Sequence, residues 1–567
     1  MILGALVTPR GGRRGPQRDE RGLVLVWTAL LLVVIMGFTA WSVDFWNGKR
    51  EGTRMQKAAD AAALAGAVFM PENVNGIAFT TARSIASENG YTDGRNGVTV
   101  SVVPGQQPNQ LRVTITESVH NTFGAVIGVG TSNVVRTGVG EYQRPVSMGS
   151  PVNQFGNDPT IASPIHGSVR YPDFWTNVFG PASVKSKGDA VQSTICDGAD
   201  NCSGTNSDYD PKGYFYGIDV QSTAGPLAVQ AYDPEFANVG DNCGDNVNGS
   251  NLAGAAMLPA NFNPKFAVPD SATRYSPLAT SPYCNGDMYF TEGNNVVPWT
   301  VYKLRAPDLS PGDPTDNPVI CSIEFPGYMG DLTTALKATT PQAGAPDLFV
   351  RYFRQWYTLC TVNNPVVGTY FLQIETNTKI DGSAAPFGGG ANRLALRAGL
   401  GGDMQTASAR IYGNGRIGIY ANSPAANTTF YLARVLPGAK GRTLVLNFFD
   451  TGDAAQAGAI TVLPPSESNV AGGAFTGCTY TAPPGNSTGP PWGAFSSTTG
   501  CKVTNVSSAT YNGQWVQLRI PIPNDYSCNF SDPLGCWTRV NFAFPSAVQD
   551  TTTWTAQLTG DPVRLIE

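Results

Sequence analysis

The chain has 567 residues, 14% of them charged, and a formal net charge of −5 at pH 7. A weakly acidic chain lacks the basic footprint of nucleic-acid binding, so the composition predicts no nucleic-acid partner. Aromatic residues make up 10% of the chain, which excludes a disordered protein, and the length allows two to four domains. The 64 glycines and 42 prolines are typical of short strands joined by many turns, as in extracellular β-sandwiches.

The N-terminal residues predict a membrane anchor. Residues 1–22 form a basic, glycine-rich tail, and the following segment, Leu23 to Val43, contains no charged residue. A transmembrane helix needs about 20 apolar residues, so segment 23–43 is predicted to cross a bilayer. A cleaved signal peptide is the alternative. Its apolar core is usually about 7–15 residues long, and the processing-like site Ala63-Leu64-Ala65 lies about 20 residues past this segment, so an uncleaved anchor is favoured.

Charges and cysteines together predict how the anchor is oriented. Five arginines precede the span and four basic residues follow it, which slightly favours a cytoplasmic N-terminus. All ten cysteines lie between Cys196 and Cys536, and an even number on one side of the span indicates disulfides in an oxidising compartment. We therefore expect a single-pass protein of the cell membrane with a cytoplasmic N-terminus and the bulk of the chain extracytoplasmic. Three disulfide pairs are plausible, although the sequence does not fix the connectivity: Cys196–Cys202, Cys478–Cys501 and Cys528–Cys536.

Residues 44–70 are predicted to continue the helix beyond the membrane. The helix is expected to run from about Leu23 to Phe69 and to end before Pro71, with Gly48 and Gly52 as points where it could bend. Small side chains make one face of this extension nearly flat: Ala58, Ala59, Ala62, Ala65 and Gly66. Such a face permits close contact with another helix, including self-association of the chain. Packing of the same face against the chain's own next domain is the equal alternative.

Residues 71–145 are predicted to form a small α+β unit, followed by a linker at 146–159. The predicted elements are a helix at Ile77–Ser87, strands at Gly97–Val103, Gln110–Glu117 and Val134–Tyr142, and a short helix at His120–Ile127. The second strand alternates apolar and polar residues, as a half-buried strand does.

From residue 160 onward the helical periodicity fades, and the pattern predicts one or two β-sandwich-like or jelly-roll-like domains, at 160–400 and 401–567. An internal repeat favours a duplication, because Phe215 to Asp233 matches Phe430 to Asp450 with two single-residue insertions. Two unrelated segments that share a generic pattern are the alternative. Ala409–Tyr412 and Arg416–Tyr420 flank a Gly-Asn-Gly turn, which predicts a β-hairpin. The expected fold class is membrane-anchored and multi-domain: a long N-terminal transmembrane α-helix, a small α+β unit, and then mainly β structure.

The sequence offers few catalytic residues. It contains two histidines, no HExxH motif, no Walker loop and no CxxC pair, so no catalytic residue and no cofactor is predicted. A loose cluster of oxygen ligands is a candidate Ca²⁺ site: Asp197, Asp200, Asn206, Asp208 and Asp210. An EF-hand is excluded because Pro211 replaces its glycine and Gly217 stands where its glutamate is needed. An Asx-rich turn beside a disulfide is the alternative. Asp450 and Asp453 form a weaker candidate.

One segment resembles a known family. Arg21-Gly22, the apolar span, Asp44 and the run Met55-Gln-Lys-Ala-Ala-Asp-Ala-Ala-Ala-Leu-Ala-Gly-Ala67 resemble the N-terminal region of TadG-like proteins from tight-adherence (Flp) pilus systems. The resemblance covers only residues 20–70, approximately. It implies an envelope protein that helps to assemble or anchor a pilus-like secretion apparatus, with other envelope proteins as partners.

Two departures narrow this expectation. Prepilin-type substrates carry a glutamate five residues after the cleaved glycine, and Trp27 holds that position after Gly22. Some relatives carry an Asp-x-Ser-x-Ser metal motif, which is not present in this sequence. Pilin-like processing and metal-dependent adhesion by that route are therefore not expected.

The predicted function is that of a membrane-anchored structural or assembly protein of a Flp-type pilus or secretion apparatus, without catalysis. One alternative is an extracellular carbohydrate-binding or adhesive β-sandwich module. A second alternative, ranked last, is a secreted hydrolase that uses a pair of carboxylates.

Overall fold

The computed structural model describes the chain in the following segments: residues 21–70, 76–106, 109–142, 145–158, 172–198, 202–233, 296–297, 299–307, 313–325, 328–329, 355–376, 378–385, 391–423, 426–482, 494–560 and 563–566. These segments contain two α-helices, α1 at Arg21–Ala67 and α2 at Ile77–Glu88. The first strands are β1 Val98–Pro104, β2 Gln110–His120, β3 Thr131–Tyr142, β4 Ser147–Met148, β5 Gln154–Phe155, β6 Phe174–Phe179, β7 Ile195–Asp197, β8 Ser203–Thr205, β9 Tyr214–Val220, β10 Leu227–Tyr232, β11 Val296–Val297, β12 Thr300–Arg305, β13 Val319–Phe325, β14 Tyr328–Met329 and β15 Trp356–Val362. The remaining strands are β16 Gly368–Thr376, β17 Ala391–Leu400, β18 Ala409–Asn414, β19 Arg416–Ser423, β20 Asn427–Arg434, β21 Thr443–Phe449, β22 Gly458–Leu463, β23 Thr479–Thr481, β24 Ser496–Ser497, β25 Lys502–Val506, β26 Trp515–Pro521, β27 Trp537–Ala543, β28 Val548–Leu558 and β29 Val563–Leu565.

The predicted long helix is confirmed. α1 runs without a break for 47 residues, and Gly48 and Gly52, the predicted bend points, are helical. By length and composition α1 is able to cross a membrane, and its apolar part is not buried against the rest of the described chain. At about 1.5 Å per residue the helix is a rod of about 70 Å. Its C-terminal part packs on the α+β unit.

The α+β unit is an antiparallel sheet in the order β1-β2-β3-β29, packed against α1 and α2. The helix predicted at His120–Ile127 is wrong, because β2 continues to His120 and only a 3-10 turn at Gly124–Ile127 follows. The fourth strand, β29, comes from the C-terminal end of the chain, which the sequence assigned to the last β domain. No local sequence pattern predicts a pairing between residues so far apart in the chain.

Two jelly rolls make up most of the remaining described fold, so the β-rich fold class is confirmed. In the first, β6-β17-β10-β15 form one sheet and β9-β16-β12-β13 form the other. In the second, the two sheets are β19-β28-β21-β26 and β20-β27-β22-β25. The eight strands correspond one to one in chain order, and each set has the double-sheet arrangement of a jelly roll. The predicted duplication is present in this topology, since the matched segments are β9–β10 and β20–β21.

The two jelly rolls are joined edge to edge into two continuous sheets. In one sheet β6 of the first roll pairs with β19 of the second. In the other, β18 pairs with β9, and β4 lies between β18 and β20. β18, the strand that leads into the second roll, thus extends a sheet of the first roll. β4, which comes from the predicted linker, pairs with β20 of the second roll. The division near residue 400 therefore passes through shared sheets.

The hairpin predicted at Ala409–Tyr412 and Arg416–Tyr420 does not form. β18 and β19 lie in different sheets, and Gly415, at φ +73°, turns the chain from one sheet to the other. Ile411 and Ile417 are fully buried in the core between the sheets. Each strand therefore buries its apolar face against the opposite sheet, and this burial outweighs the local turn signal.

Disulfides fasten the jelly rolls. The three plausible pairs are all present: Cys196–Cys202, Cys478–Cys501 and Cys528–Cys536. A further bond, Cys321–Cys360, joins β13 to β15 and so links the two sheets of the first roll. No cysteine of the described residues is free. This cysteine usage agrees with an oxidising compartment.

Candidate functional site

The candidate site is the helix–sheet junction, which comprises α1 from Asp44 to Ala67 together with α2, β2, β3 and the β2–β3 loop. Its centre is the small-residue face of α1, of which Ala58, Ala59, Ala62 and Gly66 are buried and Ala65 is half-buried. The neighbouring Ala63 and Ala67 are buried as well. They pack against α2 and the inner face of the sheet. Of the two interpretations of the flat face, packing on the chain's own domain is the one that the structure contains.

Glycines on β3 make this packing a contact between backbones. A Cβ atom added to Gly138 would lie 2.8 Å from the carbonyl carbon of Ala59, and one added to Gly140 would lie 2.4 Å from the carbonyl oxygen of Ala63. A Cβ on Gly66 of α1 would lie 2.7 Å from the carbonyl oxygen of Ala78 on α2. Small residues on both sides are therefore needed for the helix to lie this close to the sheet.

Polar contacts continue the junction along α1 toward its apolar part. The amide of Gln56 donates to the carbonyl oxygen of Thr137 and to a carboxylate oxygen of Asp60, both at 2.8 Å. Asp60 itself is half-buried beside β3. The Arg136 Nε donates to the Gly52 carbonyl at 3.1 Å, and a side chain on Gly52 would collide with this guanidinium.

Glu51 ties α1 to the turn after α2. The hydroxyl of Tyr91 donates to Glu51 Oε1 at 2.6 Å. Burial, the hydrogen bond to Glu51 and its negative charge together raise the pKa of the Tyr91 hydroxyl above its ordinary value. The hydroxyl therefore stays a donor at physiological pH.

Asp44 closes the junction at the end nearest the apolar part of α1. Its carboxylate accepts three backbone N–H groups from the β2–β3 loop: Thr122 at 2.9 Å, Phe123 at 3.0 Å and Gly124 at 2.7 Å. Hydrogen bonds to an ionised acceptor are stronger than neutral ones. A single side chain thus fixes the loop next to the first residues beyond the predicted span.

An ion pair with a buried carboxylate ties the other end of the α+β unit to the second jelly roll. Glu141 of β3 is buried and accepts from Arg564 of β29 at 3.1 Å and from Gln110 of β2 at 3.0 Å. Arg564 also donates to the carbonyl oxygen of Gly438, in the connection between β20 and β21, at 2.8 Å. The C-terminal strand therefore links the unit that holds α1 to the second roll.

The predicted calcium ligands have protein partners where the structure describes them. Asp208 pairs with Lys185 at 2.6 Å, and Asp210 pairs with Arg416 at 3.1 Å. Asp197 accepts from the Ser186 hydroxyl, and the Asn206 amide donates to the carbonyls of Ala190 and Ser193. Asp200 lies outside the described residues. Within the described part of the chain no three acidic, histidine or cysteine side chains are arranged to hold a metal, so calcium binding stays a prediction.

Two acids are buried in the jelly rolls at positions that no sequence pattern indicates. Asp189 is fully enclosed, and burial raises the pKa of its carboxyl to about 6, although the backbone N–H groups of Val191 and Gln192 stabilise the anion. Burial raises the pKa of Asp550 on β28 to about 6 as well. Isolated carboxylates inside a core carry no pattern that distinguishes them from surface acids.

Asp450 and Asp453, the weaker candidate pair, have different roles. Asp450 is fully buried at φ +63° and accepts from the backbone N–H of Gly513, and burial raises its pKa well above the ordinary value. Asp453, in the loop after β21, and Asp550 of β28 bind each other's segments: Asp550 accepts from the N–H of Asp453 at 3.0 Å, and Asp453 accepts from the N–H of Thr551 at 2.9 Å. These reciprocal bonds brace a loop against β28.

One family model matches the chain. Residues 22–68 match the family described as "Putative Flp pilus-assembly TadE/G-like". The match coincides with α1 and confirms the resemblance of the N-terminal region; it does not extend to the jelly rolls. No curated protein matches the chain.

Among solved structures, the chain has a match titled "Cryo-EM structure of T=3 Penaeus vannamei nodavirus". It is 10% identical, covers 81% of this chain and 93% of that chain, and has a TM-score of 0.12. A similarity of this size carries no argument about fold or function.

Proposed function

We propose that this chain, which carries a Tad segment at residues 22–68, is a single-pass envelope protein of a Flp-type pilus or secretion apparatus. The Tad segment supports a pilus-related role. In the proposal, α1 crosses the cell membrane with its N-terminus in the cytoplasm, and the α+β unit and both jelly rolls lie outside. The role is structural or assembly-related and needs no catalysis.

The observation that supports this role is the continuity between the Tad segment and the rest of the fold. The last third of α1 forms the core of the α+β unit, so it is not an appended anchor. That unit is joined to the second jelly roll through Glu141, Arg564 and Gly438. A load on the rolls would therefore reach the membrane helix through packed residues, as an anchoring component requires.

We propose other envelope proteins of the apparatus as the partners. The small-residue face of α1 is already occupied by β3 and α2, so it is not free for another helix. The apolar part of α1 from Val24 to Val43 is exposed in the described chain. Any helix-mediated association, including self-association, would therefore use this part, inside the membrane.

Cell fractionation with external protease tests the anchor. We expect the full-length protein in the membrane fraction, with its jelly rolls digested when protease is added outside intact cells or spheroplasts. Release as a shorter soluble chain would overturn the anchoring proposal.

A replacement of the span tests the pilus-related role. In native cells, deletion of the gene should reduce pilus assembly, and the wild-type chain should restore it. A chain whose segment 23–43 is replaced by an unrelated apolar helix is the matched control, because it keeps the anchor and loses only its sequence. Normal pili in the deletion strain would contradict the proposed role. If the chain with the replaced segment restored pilus assembly, segment 23–43 would serve only as an anchor.

The jelly-roll topology favours one second candidate, a carbohydrate-binding or adhesive module, since lectin domains use this architecture. This argument rests on fold analogy alone. No tryptophan is exposed on the described part of the jelly rolls, so the flat aromatic strip that stacks on sugars is not seen there. Binding of the full chain to an array of immobilised glycans would decide for this candidate.

A further inference from the structure

The β2–β3 loop, residues 121–130, lies at the level where the apolar part of α1 ends. Asp44 is the first charged residue after the segment Leu23 to Val43. Its three hydrogen bonds to Thr122, Phe123 and Gly124 hold the loop at its own height along the helix. If α1 spans the membrane, as proposed above, about 20 apolar residues fill the hydrocarbon and Asp44 stands at the lipid–water boundary.

The loop has the composition of a segment that contacts lipid. It contains no charged residue. Phe123 is 45% exposed and Val129 is 52% exposed, although both lie in a small unit with a complete core of its own. The bond from the N–H of Val129 to the carbonyl of Gly124 keeps both residues in one closed loop, and contiguous exposed apolar surface marks a membrane or protein contact.

The loop is also rigid enough to present these side chains in a fixed direction. The backbone N–H of Asn121 donates to the Gly130 carbonyl at 3.0 Å, and that of Val129 donates to the Gly124 carbonyl at 2.9 Å. The Asn121 side chain donates to the Val129 carbonyl at 3.1 Å. Because Asp44 holds the loop against α1 and these bonds hold the loop together internally, the loop has little freedom to turn Phe123 away.

The neighbouring turn of α1 has the side chains of a membrane interface. Trp41, Phe45 and Trp46 are all exposed, and aromatic rings of this kind concentrate at the headgroup level. The Lys49 ammonium lies 5.8 Å from the centre of the Trp46 ring, and Arg50 is exposed beside it. Long basic side chains near the end of a membrane helix reach the headgroup level.

We propose that the β2–β3 loop is a second membrane contact, which places Phe123 and Val129 in the boundary between headgroups and acyl chains beside α1. The occupant of this surface is lipid, because the surface is continuous with the exposed apolar helix and with its aromatic and basic girdle. Asp44 then has a positioning role: it couples the loop to the helix, so that the α+β unit and the jelly rolls keep one orientation relative to the membrane. This inference rests on the proposed membrane anchor.

Depth-dependent quenching tests the contact in the full-length chain. An environment-sensitive fluorescent amino acid replaces Phe123, and the protein is reconstituted in vesicles of phosphatidylcholine and phosphatidylglycerol that contain spin-labelled lipid. Val319 on β13, also 45% exposed, is the matched control for exposure, and Ile35 in the middle of the span reports insertion of α1. We expect strong quenching at Ile35, clear quenching and a blue shift at Phe123, and neither at Val319.

The outcomes separate the two proposals. Quenching at Ile35 with no more at Phe123 than at Val319 would overturn the lipid contact and leave the anchor intact. Absence of quenching at Ile35 would overturn the anchor and the contact with it. A blue shift at Phe123 that appears only in native membranes, without quenching by lipid in vesicles, would show a protein partner at the loop and also overturn the lipid contact.

The variant Asp44→Ala tests the positioning role. It should lower quenching at Phe123 several-fold while quenching at Ile35 is unchanged, because the helix stays inserted and the loop is released. Thr53→Ala, on the exposed surface of α1 beyond the interface, is the control and should change neither signal. Unchanged quenching at Phe123 in Asp44→Ala would remove Asp44 from the proposal.

Discussion

The helix–sheet junction and the jelly rolls are packed in opposite ways. At the junction, alanines of α1 lie on glycines of β3, and the contact is between backbones. In the jelly rolls, large side chains fill the space between the sheets; Trp554 and Phe448, for example, stack with ring centres 4.8 Å apart. A contact built from small residues fails when atoms are added, whereas a core built from large residues fails when atoms are removed.

The largest effect should come from removing a large side chain from the second roll. Trp554→Ala empties a fully buried site on β28, and such truncations cost about 3–5 kcal/mol. Because the chain has several domains, the measurement should be local, and hydrogen exchange of β21 and β28 is suitable. Protection of these strands should fall while that of α1 and β3 is kept.

Trp554→Phe is the matched control. The indole Nε1 of Trp554 is buried without a hydrogen-bond partner, so phenylalanine loses packing and no hydrogen bond. We expect a clearly smaller loss of protection than with alanine. Equal losses in the two variants would contradict the assignment of the effect to a cavity.

The next largest effect should come from adding one methyl group at the junction. Gly140→Ala places a Cβ 2.4 Å from the Ala63 carbonyl oxygen. The clash is with backbone, so β3 and α1 have to move apart to relieve it. Overpacking of this kind costs about 1–3 kcal/mol. Hydrogen exchange of α1 beyond residue 55 and of β3 should accelerate, while the jelly rolls keep their protection.

Gly48→Ala makes the same chemical change in α1 at a site with no heavy atom within 4 Å of the new Cβ. It should leave the exchange unchanged or slow it, since alanine favours helix over glycine by about 1 kcal/mol. If Gly140→Ala were as harmless as this control, close backbone packing would not be what limits the junction.

A smaller effect is expected where the two regions meet. Arg564→Ala removes one partner of the buried Glu141 carboxylate and also the bond to the Gly438 carbonyl. Arg564 is about one-third exposed and Gln110 still serves Glu141, so we expect a loss of about 1 kcal/mol. Hydrogen exchange should accelerate more in β29 than in either α1 or β28. Arg539→Ala, inside the second roll, is a control that should leave β29 protected.

These regions also differ in how much of them the sequence predicts. α1, the three confirmed disulfides and most strands of the α+β unit follow from local patterns: an uncharged segment, cysteine spacing and alternation over Gln110–Glu117. The predicted hairpin of β18 and β19 is wrong because a Gly-Asn-Gly signal indicates a tight turn and does not determine whether its flanking strands pair. The pairings of β29 with β3 and of β18 with β9 join residues far apart in the chain, where no local rule applies.

The candidate site was predicted only in part. The sequence identified the small-residue face of α1 and left open what covers it, because the complementary glycines, Gly138 and Gly140, are unremarkable within a strand. Asp44 entered only through the family resemblance, and nothing in the sequence connects it to Thr122–Gly124. Its role depends on a loop that the sequence assigned to a helix.

The smallest expected effect is a pH dependence of stability that comes from a buried acid of the second roll. Burial raises the pKa of Asp550 in the second roll to about 6, above the ordinary value of an aspartate, although the N–H of Asp453 and the hydroxyl of Thr552 donate to its carboxylate. The folded roll therefore binds this proton more tightly than the unfolded chain does. Its stabilising contribution is complete below about pH 4 and is lost as the pH rises through about 6.

Asp550→Asn should remove this part of the pH dependence, because the amide cannot ionise and its oxygen can still accept from the N–H of Asp453. Urea unfolding followed by the exchange of β28 at pH 4, 5, 6 and 7 measures the effect. Asp525→Asn, an exposed acid of the same roll, is the control and should preserve the wild-type slope. If Asp550→Asn kept the same fall in stability between pH 4 and 6, the titrating group would be another buried acid, and Asp450, whose pKa burial also raises, would be the next to change.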